Sequence, residues 1–305
     1  MAEGKGAIAR VLGLGLVTIL FAVTQPLLLA GLPLAVLVVV KGPRHFRAAA
    51  TVAVIMGTAF LGERAGLWWF ERGWPVLLGG TYVWVDAWRG HWGFLAKGIA
   101  ALGLAVLIVG VIFLGNPGAW LDVNTLMAAR ANGAADVAMT LLGDRTNETV
   151  AAAIERVVRL QVALFPALLA VSSLAALGVA VAGRGWLAGE WDPGFGRLRS
   201  FRFNDHLVWI WLVGLALIAA PVGHVADRIG GNAMFFMGAL YVLRGFAVLL
   251  SFVGAIPLSV GILGGVLVVL LYPALALLLA VALIVGIGDT WLNVRSRIRV
   301  AKGDR

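Results

Sequence analysis

Apolar side chains run in long blocks along this chain, and polar positions fall into short segments between the blocks. A helix needs about 20 apolar residues to cross a hydrocarbon core about 30 Å thick, and fewer where the segment is short or re-entrant. On that ruler the candidate spans are Ile8 to Thr24, Leu27 to Val40, Phe46 to Leu61, Trp74 to Val85, Gly93 to Leu114, Leu160 to Val181, Leu207 to Val222, Asn232 to Val253, and a final run from Leu258 to Gly288. Pro26, Gly31 and Pro33 interrupt the first block, so it reads as a hairpin of two short helices, because a proline removes a backbone donor and clashes with the preceding turn. Lys5 and Arg10 begin it as they would a signal peptide, but the block runs too long for one and is expected to stay in the mature chain. As one helix the final run would reach about 45 Å. It therefore tilts or breaks, with Gly264, Gly265 and Pro273 as break points.

The basic residues orient these spans. Lys5 and Arg10, then Lys41, Arg44 and Arg47, then Arg184, Arg197, Arg199 and Arg202, and finally Arg295, Arg297, Arg299, Lys302 and Arg305 form four clusters, and such clusters face the cytoplasm. Two cytoplasmic termini require an even number of crossings, which gives ten short spans, or eight if one hairpin is re-entrant. The segment from Gly115 to Arg159 lacks a basic excess and fits the outer face. Its first part, Trp120 to Leu142, reads as one or two amphipathic helices lying on that surface. Thr146 then caps a long helix with Glu148 in its first turn, where the macrodipole favours an anion, and Pro166 is placed to kink it. The expected fold is an all-α, polytopic transmembrane helix bundle of eight to ten short spans with an outer-face amphipathic insert. It is expected to form one membrane domain over 1–305: hairpins over 1–114, the insert over 115–159, and a C-terminal helical half with a basic tail over 160–305. The expected location is a bacterial cytoplasmic membrane.

Composition reinforces this. Of 305 residues, 61% are hydrophobic and only 13% charged, with a mean hydropathy of +0.98, whereas soluble domains carry about 25% charged residues. A water-soluble shape of this size has too little polar surface here, so lipid is the expected solvent. The formal net charge of +9 follows from the cytoplasmic loops and is not read as nucleic-acid binding. With no cysteine, disulfides, thiolate metal sites and a cysteine nucleophile are excluded.

Ionisable groups within a bilayer cost about 2.5 to 3.5 kcal/mol each on insertion scales, so they are the candidate functional residues. Arg244 lies midway along Asn232 to Val253 among aliphatic and aromatic neighbours. It either pairs with Asp227 or another carboxylate for structure, or offers its fork of donors to an anionic ligand. Asn232, Tyr241 and Asp289 are the candidate companions of Arg244 in a ligand cavity. For Asp289 the alternative is pairing with Arg295 at the end of the last span. Trp84, Asp86, Trp88, Arg89, His91, Trp92 and Lys97 interleave rings and charges at a helix end, which reads as an interfacial belt or a ligand mouth. Glu63, Arg64, Glu71 and Arg72 around Trp68 and Trp69 read as an outer loop. Asn204 or Asp205 is a natural N-cap before His206. His224, Asp227 and Arg228 are too few to hold a metal, and no HExxH, GxSxG or Walker loop occurs. No catalytic residue, cofactor or metal is expected. Gly98, Gly103 and Gly110, Gly238 and Gly245, and Gly261, Gly264 and Gly265 suggest close helix contacts.

Ordered features of the C-terminal half carry a family resemblance. They are the apolar stretch Leu164 to Leu174 with Pro166, the aromatic helix start Phe203 to Trp211, Asn232, the Tyr241 to Phe246 segment with Arg244 and Gly245, and Gly288-Asp289-Thr290-Trp291 followed by Arg295 and Arg297. Over Val150 to Arg299 the chain resembles the YybS-like bacterial membrane proteins, and earlier only in its pattern of short hairpins. Where Arg244 stands, that family often has a neutral amide, so ligand chemistry built on Arg244 would be private to this chain. The resemblance implies a distant likeness to the substrate-binding membrane subunits of energy-coupling-factor transporters, which lack their own ATPase. Three functions compete: a small-molecule-binding or transport-related subunit served by a separate ATPase partner, a non-catalytic scaffold holding another protein, and an intramembrane lipid-modifying enzyme, whose converging carboxylates or histidines this sequence does not supply.

Overall fold

A computed structural model describes residues 68–142, 148–187, 201–221, 223–252 and 272–292. Among these residues there is no strand. The described residues form eight α-helices: α1 (Trp68–Trp88), α2 (Phe94–Gly115), α3 (Pro117–Leu142), α4 (Glu148–Ala163), α5 (Phe165–Leu187), α6 (Val208–Ala219), α7 (His224–Phe252) and α8 (Tyr272–Leu292). The expected spans Ile8 to Thr24, Leu27 to Val40 and Phe46 to Leu61 lie outside the described residues. So do Glu63, Arg64, Gly261, Gly264, Gly265 and the basic tail. The chain divides into two compact units, 1–191 and 192–305.

In the first unit α1 and α2 form an antiparallel hairpin. At 22 residues, α2 is about 33 Å long, enough to cross a bilayer. It ends where Asn116 leaves helical geometry at φ −141° and ψ 79°, while the Asn116 N–H still bonds Ile112 O at 3.0 Å. Pro117 then opens α3, a position where its missing donor would have been unsatisfied in any case. The first part of the insert, expected as one or two helices, is one continuous helix of 26 residues. Its buried residues, Ala119, Val123, Met127, Ala131 and Ala135, recur every four positions and make one narrow apolar stripe. The long helix expected after it breaks at Leu164, and the two parts, α4 and α5, meet at 72°. Pro166 explains the bend, since it cannot donate to the carbonyl of Val162 and disfavours helical geometry at Phe165. Across the unit Trp74 Nε1 donates to Ser173 Oγ at 2.9 Å in a buried bond. A Cβ placed on Gly98 would lie 3.0 Å from Leu174 Cδ2, which marks the close approach of α2 to α5.

The second unit is built on α7. Gly223, just before it, takes φ 111°, a region that favours glycine. α6 runs back along the N-terminal half of α7, where Gly214 meets Gly230: a Cβ on Gly230 would lie 2.6 Å from Gly214 O. α8 lies antiparallel along the other half, where a Cβ on Gly245 would overlap the Ala282 carbonyl and one on Gly286 would overlap that of Tyr241. Backbone therefore touches backbone on both sides of α7. Gly238, by contrast, faces open space, as do Gly103 and Gly110.

By length and apolarity α2 and α7 can cross a membrane, and the bent α4–α5 pair is a third candidate; α6 and Ala276–Leu292 are shorter apolar helices. The described residues thus hold fewer spans than the eight to ten expected. Asp122, Arg130 and Asp136 interrupt the apolar surface of α3, and α6 has only 12 residues. Leu114, Leu277 and Ile284 are among many large apolar side chains turned outward, as lipid rather than water requires.

The packing predicts opposite outcomes for two glycines on α7. Gly245→Ala forces a Cβ into α8 and should lower stability by about 1 to 3 kcal/mol, whereas Gly238→Ala should be neutral or slightly stabilising. Thermal unfolding in detergent, followed by tryptophan fluorescence, measures both; equal effects would contradict the helix contact.

Candidate functional site

The buried charges of the second unit gather at one level of α7. Side chains lean toward the N-terminus of their helix, and Arg244, fully buried, reaches in that direction to the ends of both neighbouring helices. Ahead of α6, Asn204 accepts from the His206 N–H at 3.0 Å and caps the 3-10 turn Asp205–Leu207. Asp205, on that turn, accepts from Arg244 Nη1 at 2.5 Å. From α8, Asp289 Oδ2 accepts from Arg244 Nε at 2.9 Å and the Asp289 carbonyl accepts from Nη2 at 3.1 Å. That carbonyl is among the last four of α8, which lack partners within the helix. The Phe203 ring lies 5.3 Å from Arg244 Cζ and meets Tyr241 edge to face at 5.2 Å. The hydroxyls of Tyr241 and Thr290 are enclosed nearby. Arg244 and Asp289 are shut off from solvent, while Asp205 stays 52% exposed. One guanidinium thus serves two carboxylates and a helix end, and an anionic ligand would have to displace one of them.

The first unit holds a cleft of about 180 Å³ between α1, α2, α3 and α5, lined by Phe70, Trp74, Phe113, Trp120, Phe165 and aliphatic neighbours. The indole N–H of Trp74, on this lining, is already bound to Ser173.

A third cluster closes the α1–α2 hairpin. Lys97 Nζ bonds Asp86 Oδ1 at 2.7 Å and the Gly90 carbonyl at 2.8 Å, drawing the two helices together. Trp84 and Trp88 pack at 5.3 Å, and Trp84, Trp88 and Trp92 are exposed. This is the group of rings and charges read from the sequence, with Lys97 and Asp86 turned inward and the indoles outward.

A family model described as "Predicted membrane protein (DUF2232)" matches residues 7–290. The chain belongs to this family. No curated protein and no solved structure matches it. Membership in DUF2232 makes the chain a predicted membrane protein, in keeping with its apolar helices and outward-facing aliphatic surface.

In this DUF2232 chain the structure brings together Arg244, Tyr241 and Asp289 but not Asn232. Asn232 lies twelve residues before Arg244, about 18 Å along the helix, and its Nδ2 donates to the Arg228 carbonyl at 2.8 Å. Asp227 is more distant still and lies 4.0 Å from His224 Nδ1 on an exposed turn. The carboxylate that sequence reasoning misses is Asp205, for which a place as N-cap is a sufficient local explanation. Two adjacent cap-competent residues were the available signal: Asn204 performs the capping, which leaves Asp205 for another task. The apolar cleft was also missed, because its aromatic residues come from four helices far apart in sequence.

Removing Arg244 would take from the buried Asp289 the guanidinium bonded to it, so Arg244→Leu should cost about 3 to 5 kcal/mol. Adding Asp289→Leu should restore part of that loss, and Asp205→Asn alone should cost less, since water already reaches Asp205. Unfolding of the single and double variants gives the coupling; strictly additive losses would contradict the pairing.

Proposed function

We propose that this chain is a non-catalytic, multi-pass membrane subunit that binds a small apolar molecule drawn from the bilayer, and that any transport it supports is energised by a separate ATPase. The cleft between α1, α2, α3 and α5 carries the reading. Its 180 Å³ exceeds a 150 Å³ apolar cavity known to hold benzene, so it suits a ring or a short length of acyl or isoprenoid chain. With its aromatic and aliphatic walls, the cleft favours a hydrocarbon portion and not an anion. The absence of a Walker loop in the sequence is in keeping with a borrowed ATPase, as is the resemblance to YybS-like proteins and, through them, to energy-coupling-factor binding subunits. The location proposed is a bacterial cytoplasmic membrane with both termini cytoplasmic. The start of α6 and the end of α8 meet at Arg244, which supports placing these two helix ends on one side.

The competing reading is a scaffold whose basic loops hold another protein. Gly110 lines the cleft with open space at its Cβ, so Gly110→Phe should fill the cleft and leave the backbone in place. Native mass spectrometry of protein extracted gently from its own membrane should show a discrete small adduct in the wild type and none in this variant, with thermal unfolding unchanged. A stoichiometric protein partner without an adduct would instead make the chain a scaffold.

A further inference from the structure

The α1–α2 turn holds a positive charge that no carboxylate among the described residues neutralises. Lys97 and Asp86 satisfy one another, each only 12% exposed. Arg89, just past the end of α1, is held by rings: its Cζ lies 4.3 Å from the Trp88 centroid and 5.4 Å from that of Trp92. Such contacts position a guanidinium without cancelling its charge, and its planar fork remains suited to two oxygens of a phosphate. From Asp86 to Lys97 the turn therefore carries one more arginine or lysine than carboxylate. The first turn of α2 has no acidic residue of its own, and Gly93 caps it without a side-chain bond.

The indoles say what kind of anion fits. Trp84, Trp88 and Trp92 are 54%, 64% and 37% exposed, an expensive arrangement in water and the favoured one at headgroup depth, where the ring body meets hydrocarbon and the N–H meets water. Free phosphate gains nothing from those rings. A phospholipid uses both, with its phosphate on the guanidinium and its glycerol and upper acyl carbons on the indoles.

The geometry points to a headgroup site for an anionic phospholipid at the α1–α2 turn, with Arg89 binding the phosphodiester and Trp88 and Trp92 fixing the guanidinium and packing against the lipid. This site is separate from the apolar cleft and stands whether or not the cleft binds a ligand.

The test is a titration of the delipidated, detergent-solubilised full chain with phosphatidylglycerol, phosphatidylcholine or inorganic phosphate, read by native mass spectrometry alongside tryptophan-detected melting. Wild type should prefer phosphatidylglycerol by about fivefold, the size expected for one basic residue at an anionic surface. Arg89→Gln should lose that preference and still unfold cooperatively. The Trp88→Leu, Trp92→Leu double variant, which keeps the charge but removes its clamp, is expected to lose it too and serves if the first variant fails to fold. Equal binding of the two lipids by wild type, or a preference that survives both variants, would overturn the site. Stabilisation by inorganic phosphate equal to that by phosphatidylglycerol would make it a soluble-anion site and overturn the lipid assignment.

Discussion

A guanidinium buried among apolar helices must be matched by charge from the same protein, and this constraint organises the second unit. Each ionised group in the bilayer costs about 2.5 to 3.5 kcal/mol on insertion scales. Breaking a buried pair by removing one partner costs about 3 to 5 kcal/mol. Arg244, with Asp289 beside it and Asp205 at the rim, therefore contributes little net stability compared with an apolar core of the same volume. What the arrangement supplies is register. Three donors reach three acceptors only when the start of α6, the middle of α7 and the last turn of α8 stand level.

Small residues make that geometry reachable. Gly214 against Gly230, and Gly245 and Gly286 against the backbones of their partner helices, bring the helix axes close enough for Arg244 to span the junction. Lipid tails are as apolar as leucine, so helix association in membranes relies on such packing and on polar contacts, not on exclusion of water. The first unit uses the same devices in a different balance. One buried indole-to-hydroxyl bond joins Trp74 to Ser173, Gly98 admits Leu174, and the Lys97–Asp86 pair closes the hairpin. What remains open is an apolar cleft on the inside and a ring of tryptophans at the turn.

Helices were legible in the sequence wherever apolar blocks were long, as with α2 and α7, and the break near Pro166 followed from proline chemistry. Bend placement was less legible: the chain turns at Leu164, before the proline, because the residue preceding a proline is constrained as well. Asp289 and Tyr241 stand beside Arg244, whereas more than three helical turns of rise carry Asn232 away from it. Asp205 escaped because a carboxylate at a helix start has a sufficient local explanation as a cap. The cleft escaped because no local pattern encodes a space between four helices. Small-residue spacing was ambiguous in a similar way: it named Gly98 and Gly245, which touch neighbouring helices, together with Gly103, Gly110 and Gly238, which face open space.

Hydrogen exchange of wild type and Arg244→Gln, compared by mass spectrometry in the same lipid nanodiscs, tests the central claim most directly. If Arg244 holds the three helices level, amides in the first turns after Asp205 and in the last turn of α8 should lose protection together, while the α1–α2 hairpin keeps its own. Protection retained at both helix ends, or lost at only one of them, would contradict the account.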